Sequence, residues 1–115
     1  MSSGRRSPQQ AQARARAAVF AALGHQERLS LVARLSGGRP CSIARLSEGS
    51  RLTRQAITKH LRVLERAGIV RSTHAGRESL YEFNPQPVAE LRRYLELVSE
   101  QWDQTLTRLK MFVEE

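Results

Sequence analysis

Side chains able to do acid–base, nucleophilic or metal chemistry are few in this chain and scattered. Histidine occurs at positions 25, 60 and 74, and cysteine only at 41. The three histidines fall in three separate expected elements, and Cys41 has no evident histidine partner. No hydrolytic constellation can be assembled from them, so neither an enzyme activity nor a cofactor is expected. Cationic and amide groups are distributed differently. In TRQAITKHLRVLERAGIV, which runs from Thr53 to Val70, Ile57, Leu61 and Leu64 share one helical face. Arg54, Gln55, Thr58, Lys59 and Arg62 take the opposite face near its start. Burial accounts for the first set but not for the second. A helix with such a row suits the major groove of a duplex, about 12 Å wide, which admits one helix with its N-terminal side chains toward the base edges. Gln55 can present its amide to an adenine and Arg54 can fork onto a guanine. Thr58 and Lys59 are placed to reach a base edge or a phosphate. Arg62, a turn further on, is expected at the backbone, as is His60 from the edge of the buried face.

These side chains need elements to hold them. Residues 1–8, rich in Ser, Arg and Gly, read as a disordered basic tail. Residues 9–115 read as a single domain. AQARARAAVFAAL forms a helix by propensity, residues 9–23, with Ala13, Ala17, Phe20 and Leu23 on its apolar face and Gly24 ending it. QERLSLVARL is a second helix with Leu29, Val32 and Leu35 or Leu31 inward, and Gly37-Gly38 stops it. A short third helix follows Pro40, with Ser42 as N-cap before Ile43, Ala44 and Leu46. The row-bearing helix spans 53–67, capped by Thr53 and closed by Gly68.

The period then changes from 3.6 to 2. Residues 69–84 give a strand around Ile69–Thr73, a turn at Ala75–Glu78 and a strand around Leu80–Phe83. His74, Arg77 and Arg71 lie on or near this projection, whose tip can follow a sugar-phosphate backbone or dip into the minor groove; Glu78 argues against placing every tip residue on phosphate. Residues 87–113 form one long helix with Leu91, Leu95, Val98, Trp102, Leu106, Leu109 and Phe112 or Val113 along one stripe. The remaining body is too small to cover that stripe. The first and last helices, with Phe20 and the residues from Leu91 to Leu109, therefore read as a homodimerisation layer. The expected fold is mainly α with a small β-hairpin wing, in the order α-α-α-α-β-β-α.

Composition agrees with an anionic partner. The chain has 115 residues, a formal charge of +8, 40% hydrophobic and 5% aromatic residues. Residues 1–85 hold 15 Lys and Arg against 5 Asp and Glu, whereas residues 86–115 hold 4 against 6. A basic body with a mildly acidic end suggests that the body meets a polyanion, which the groove-fitting helix makes double-stranded DNA. No run of 18 apolar residues is present, so no membrane association is expected. The N-terminus lacks the apolar run of a secretory signal, and one cysteine gives no disulfide framework, so cytoplasmic residence is the default.

The span from about Phe20 to Phe83 resembles the winged helix-turn-helix repressors of the bacterial ArsR/SmtB family. ALGHQERLSLVARL is similar to the family's opening helix pair, with Arg28 at its recurrent arginine. LTRQAITKHLRVLERAGIV is similar to its recognition helix and exit strand, and GRESLYEF to its second wing strand. The resemblance implies a homodimer binding an imperfect inverted repeat near a promoter and usually repressing. Two departures stand out: His25-Gln26 replaces the frequent Asp-Pro, and SEGSRL is a residue or two longer than the usual turn. One family metal site needs a Cys-x-Cys pair where this chain reads PCSIARL. Another needs Asp and His on the last helix, which here offers only Glu90, Glu96, Glu100 and Asp103. No metal site is therefore expected, and Cys41 reads as a small, partly buried side chain. EQWDQTLTRLK resembles the tail of a metal-free branch, with Trp102 as a dimer or core anchor beside which a small apolar effector could sit; control by a small molecule, a protein effector or the chain's own concentration stays open. Two rival readings are a metal-responsive repressor on the same fold and a winged helix used for protein interaction.

Overall fold

A computed structural model describes residues 7–114. Helix α1 spans Pro8–Leu23, α2 Gln26–Leu35, α3 Ile43–Ser47, α4 Arg54–Arg66 and α5 Pro85–Glu114; strands are β1 Cys41–Ser42, β2 Val70–Ala75 and β3 Glu78–Phe83. The mainly α fold with a small β wing is the expected one, with one strand more than anticipated.

α1 begins one residue inside the stretch expected to be tail. Ser7 Oγ accepts from Gln10 N–H at 3.1 Å and Gln10 Oε1 accepts from Ser7 N–H at 3.1 Å, a reciprocal cap in front of Pro8 at the first helical position. Residues 1–6 of the expected tail lie outside the described residues. Only the last turns of α1 meet the core, through Val19 and Ala22. The anticipated face is corrected accordingly: Ala13 and Ala17 are exposed, Phe20 is 42% exposed, and only Leu23 leans on the core. In α2 the buried pair is Leu31 and Leu35, whereas Leu29 is 52% exposed and not part of the inward stripe.

Two arginines tie these helices together by satisfying carbonyls at helix ends. Arg28 donates from Nε to Ala22 O at 2.5 Å and from Nη2 to Ala21 O at 3.2 Å. Arg34 donates from Nη1 to Leu46 O at 2.6 Å and from Nη2 to Arg45 O at 3.2 Å, binding α2 to the end of α3. Ser42 caps α3 by accepting from Arg45 N–H at 3.1 Å.

α4 supplies the centre of the core, with Ile57, Leu61 and Leu64 fully buried against Leu35, Leu46, Ile69 and Val70. Thr53 Oγ1 accepts from Ala56 N–H at 3.1 Å. The helix ends in a Schellman arrangement: Gly68 N–H donates to Glu65 O and Ile69 N–H to Leu64 O, both at 2.9 Å, with Gly68 at φ +79°.

The sheet has three strands in the order β1-β3-β2. The hairpin pairs Val70 with Phe83 through to Ala75 with Glu78, so its strands run longer than the sequence suggested and its turn is only Gly76-Arg77. Gly76 sits at φ +65° in the first of the two turn positions, where a II′ turn needs a positive φ. β1 pairs Cys41 with Tyr81 and Ser42 with Leu80. Asn84 closes the base of the hairpin on the end of α4: its N–H donates to Ile69 O at 2.8 Å and its Nδ2 to Gly68 O at 3.0 Å.

α5 starts at Pro85, two residues before its anticipated start, and its 30 residues make a rod about 45 Å long. Pro85 and Pro87 are tolerated because the first-turn N–H groups have no helical partner. Arg16 lies over the Tyr94 ring, 4.2 Å from its centroid, which joins α1 to α5. Leu91 is the buried residue of α5 and packs in its own domain; Tyr94 and Val98 are half-buried, and from Ser99 to Glu114 the helix is exposed. The chain measures 67 × 45 × 21 Å with a Cα radius of gyration of 19.1 Å, against about 13 Å for a compact chain of 100 residues. No helix among the described residues is long and apolar enough to cross a membrane.

Candidate nucleic-acid interface

The first turns of α4 and the start of α3 enclose an open groove of about 750 Å³, lined by Ile43, Thr53, Arg54, Gln55, Ala56, Thr58, Lys59 and Arg62. Five of the residues singled out in the sequence are thus brought together. Ile43 was read only as an apolar α3 residue; it becomes a groove wall because α3 packs across the start of α4. Arg54, Gln55, Lys59 and Arg62 are exposed. None of the three cations is paired with a carboxylate among the described residues, and no acid lines the groove. Thr58 Oγ1 donates its proton to Arg54 O at 2.8 Å, so its hydroxyl proton is already used within the helix.

The wing stands beside α4 and is fastened to it. Ser72 Oγ donates to Glu65 Oε2 at 2.7 Å. His74 and Arg77 are exposed near the tip, and His74 Nδ1 is 3.4 Å from Ser79 Oγ. Arg71 faces Glu82 across the hairpin at 3.7 Å, so part of its charge is offset within the wing. Arg77 at the turn has no such partner among the described residues.

A family model described as a helix-turn-helix domain matches residues 13–73, more than half of the chain. The HTH-type transcriptional regulator YuzN of Bacillus subtilis is 36% identical over 80 residues, covering 64% of this chain and 87% of that protein. An ArsR-like transcriptional regulator from Rhodococcus sp. RHA1 superposes with a TM-score of 0.77 at 32% identity, over 89% of this chain and 95% of that one. The chain belongs to the ArsR-like winged helix-turn-helix transcriptional regulators. The family is one of regulators, not of enzymes. The fold is also that of the homodimeric winged helix-turn-helix DNA-binding domain Mb0332 from Mycobacterium bovis, with a TM-score of 0.66 at 20% identity over 85% of this chain and 90% of that one.

In this ArsR-like chain His60 does not join the groove. Its ring lies 4.7 Å from that of His25, tilted by 48°, against the α1–α2 junction. The backbone contact expected for it from the sequence would have to be made from this half-buried position beside His25. Burial, then the charges of His25 and Arg28, lower its pKa from the ordinary 6.5, with Glu27 opposing. The folded chain therefore holds fewer protons at this site than the unfolded chain. Its contribution to stability is fully present above pH 6.5 and is lost as pH falls below that toward the depressed value. Thermal melts are expected to show a lower Tm at pH 5.5 than at pH 7.5, with His60→Gln narrowing the gap. An unchanged gap in that variant would assign the acid sensitivity to other groups.

The ArsR-like stripe on α5 is mostly uncovered. Leu95, Trp102, Leu106 and Leu109 are exposed and Val98 is half-buried. Phe20 of α1 is exposed as well. Leu91, grouped with them in the sequence, is already spent on its own core.

Metal ligation is poorly supplied. Among the described residues no three His, Cys, Asp or Glu side chains come together as a possible metal site. Cys41, half-buried, has its thiol 3.6 Å from Arg39 O and no second thiolate beside it. A tight site for Zn²⁺ or a soft ion needs several thiolate or imidazole ligands, and this donor set does not fit one.

Proposed function

We propose that the chain is a homodimeric, metal-independent repressor that reads an imperfect inverted repeat. Each α4 lies in a major groove, and each wing places Arg77 and His74 on the flanking backbone. The acid-free groove on the first turns of α4 carries this reading, because it combines unpaired cations with an amide able to select a base. The long uncovered stripe of α5 supports pairing of two chains, as does the printed description of the Mb0332 domain as homodimeric. The lone thiol supports metal independence, so a chelator is expected to leave DNA affinity unchanged.

Selection of bound duplexes from a random pool, followed by footprinting, tests the proposal. Two protected half-sites with centres about 34–36 Å apart are expected. On the selected duplex, Gln55→Ala should lower discrimination against random DNA by about 1–3 kcal/mol. Equal losses on both duplexes would show that Gln55 reads no base.

A further inference from the structure

Outside the α4 groove and the wing, one strongly basic surface has no assigned role. Arg34, Gly37, Arg39, Cys41 and Arg45 line a depression of about 290 Å³ that contains no acidic side chain. Arg39 and Arg45 are exposed, and neither is ion-paired among the described residues. Arg34 is anchored on two neutral carbonyls, Leu46 O and Arg45 O, which fix its guanidinium at the rim without cancelling its charge. Gly37 and Gly38 have nothing within 4 Å of where a Cβ would stand, so the approach over the α2–β1 loop is open.

This depression adjoins the reading groove. Cys41 lines the one and Ile43 lines the other, with only Ser42, the cap of α3, between them. Three cations within one concavity, without a carboxylate, suit an anion whose charge is repeated along a chain. Position narrows the choice. With α4 in a major groove, the start of α3 is where the first helix of a helix-turn-helix crosses the backbone. We infer that Arg39 and Arg45, with Arg34 fixed behind them, form a second clamp on the phosphodiester backbone, beside the half-site and separate from the wing. This rests on the reading of α4 as a groove reader.

The consequence is a salt dependence set by more than α4 and the wing. Each neutralised phosphate contributes about −0.9 to the slope of log affinity against log salt. Arg39→Ala with Arg45→Ala should make the slope shallower by about 2 on both the selected duplex and a random one. The ratio of affinities between the two duplexes should stay as in the wild-type chain. Arg93→Ala with Lys110→Ala, exposed cations of α5, removes the same charge elsewhere and should move the slope by only a few tenths. Arg39→Lys with Arg45→Lys should restore most of the slope, because a phosphate requires charge rather than a planar fork, whereas a purely structural role would not be rescued this way. A wild-type slope in the alanine pair, or one shared with the α5 pair, would overturn the clamp while leaving the α4 reading intact. Failure of the wild-type chain to prefer any duplex would remove both.

Discussion

Trp102→Glu combined with Leu106→Glu is expected to give a folded monomer whose affinity for the inverted repeat drops by about 10²–10⁴-fold. Trp102 is 61% and Leu106 55% exposed in the single chain, so neither is needed to fold it. In a pair of chains the same side chains would be covered, and four carboxylates there would face unpaired desolvation. The loss follows from linkage: with both α4 helices joined, engagement of the second half-site is an intramolecular event. Affinity for a duplex with one half-site should stay within a few fold of wild type. Light scattering at micromolar concentration, run beside binding on one-site and two-site duplexes, checks the set. A variant that stays dimeric would place the interface elsewhere.

Leu61→Ala attacks a different level. Leu61 is 0% exposed on the inward side of the helix whose outward side carries the groove. Truncation removes buried methyl groups and leaves a void, at a cost of about 2–5 kcal/mol. Taken from the low end of the roughly 5–15 kcal/mol typical of a domain, this leaves a substantial unfolded fraction near physiological temperature. Urea unfolding should show a lower midpoint at unchanged slope. A loss below about 1 kcal/mol would mean that α4 is not sealed against the core as the structure places it.

α4 was legible because three independent signals coincide on it. Ile57, Leu61 and Leu64 give spacings of four and three, Thr53 can cap, and Gly68 alone tolerates the left-handed exit. Its exposed row followed from the same periodicity. α1 was less legible, since alanines on several faces define no single stripe. Tertiary packing, confined to the last turns, selected Val19 and Ala22. β1 could not be read at all: two residues carry no period, and their pairing with Tyr81 and Leu80 comes from far along the chain. The surroundings of His60 were hidden for a related reason. The helical wheel puts it at the margin of the buried face, but the ring it meets, His25, is positioned by the turn between α1 and α2. Arg39 and Arg45 lie in a loop and a helix of five residues, where spacing alone marks no common face.

The bonds from Asn84 to the exit of α4, and from Ser72 to Glu65, deny the hairpin a soft root. β1 braces its other edge through β3 and leads directly into α3. Each protomer should therefore behave as a stiff jaw that cannot trade tilt of its tip against depth of its helix. Tolerance in a target would then reside in the bases beneath the tips and not in the spacer between half-sites, which the rods joining two jaws hold to one length. Changing that spacer by half a helical turn should be punished far more than changing bases beneath the tips.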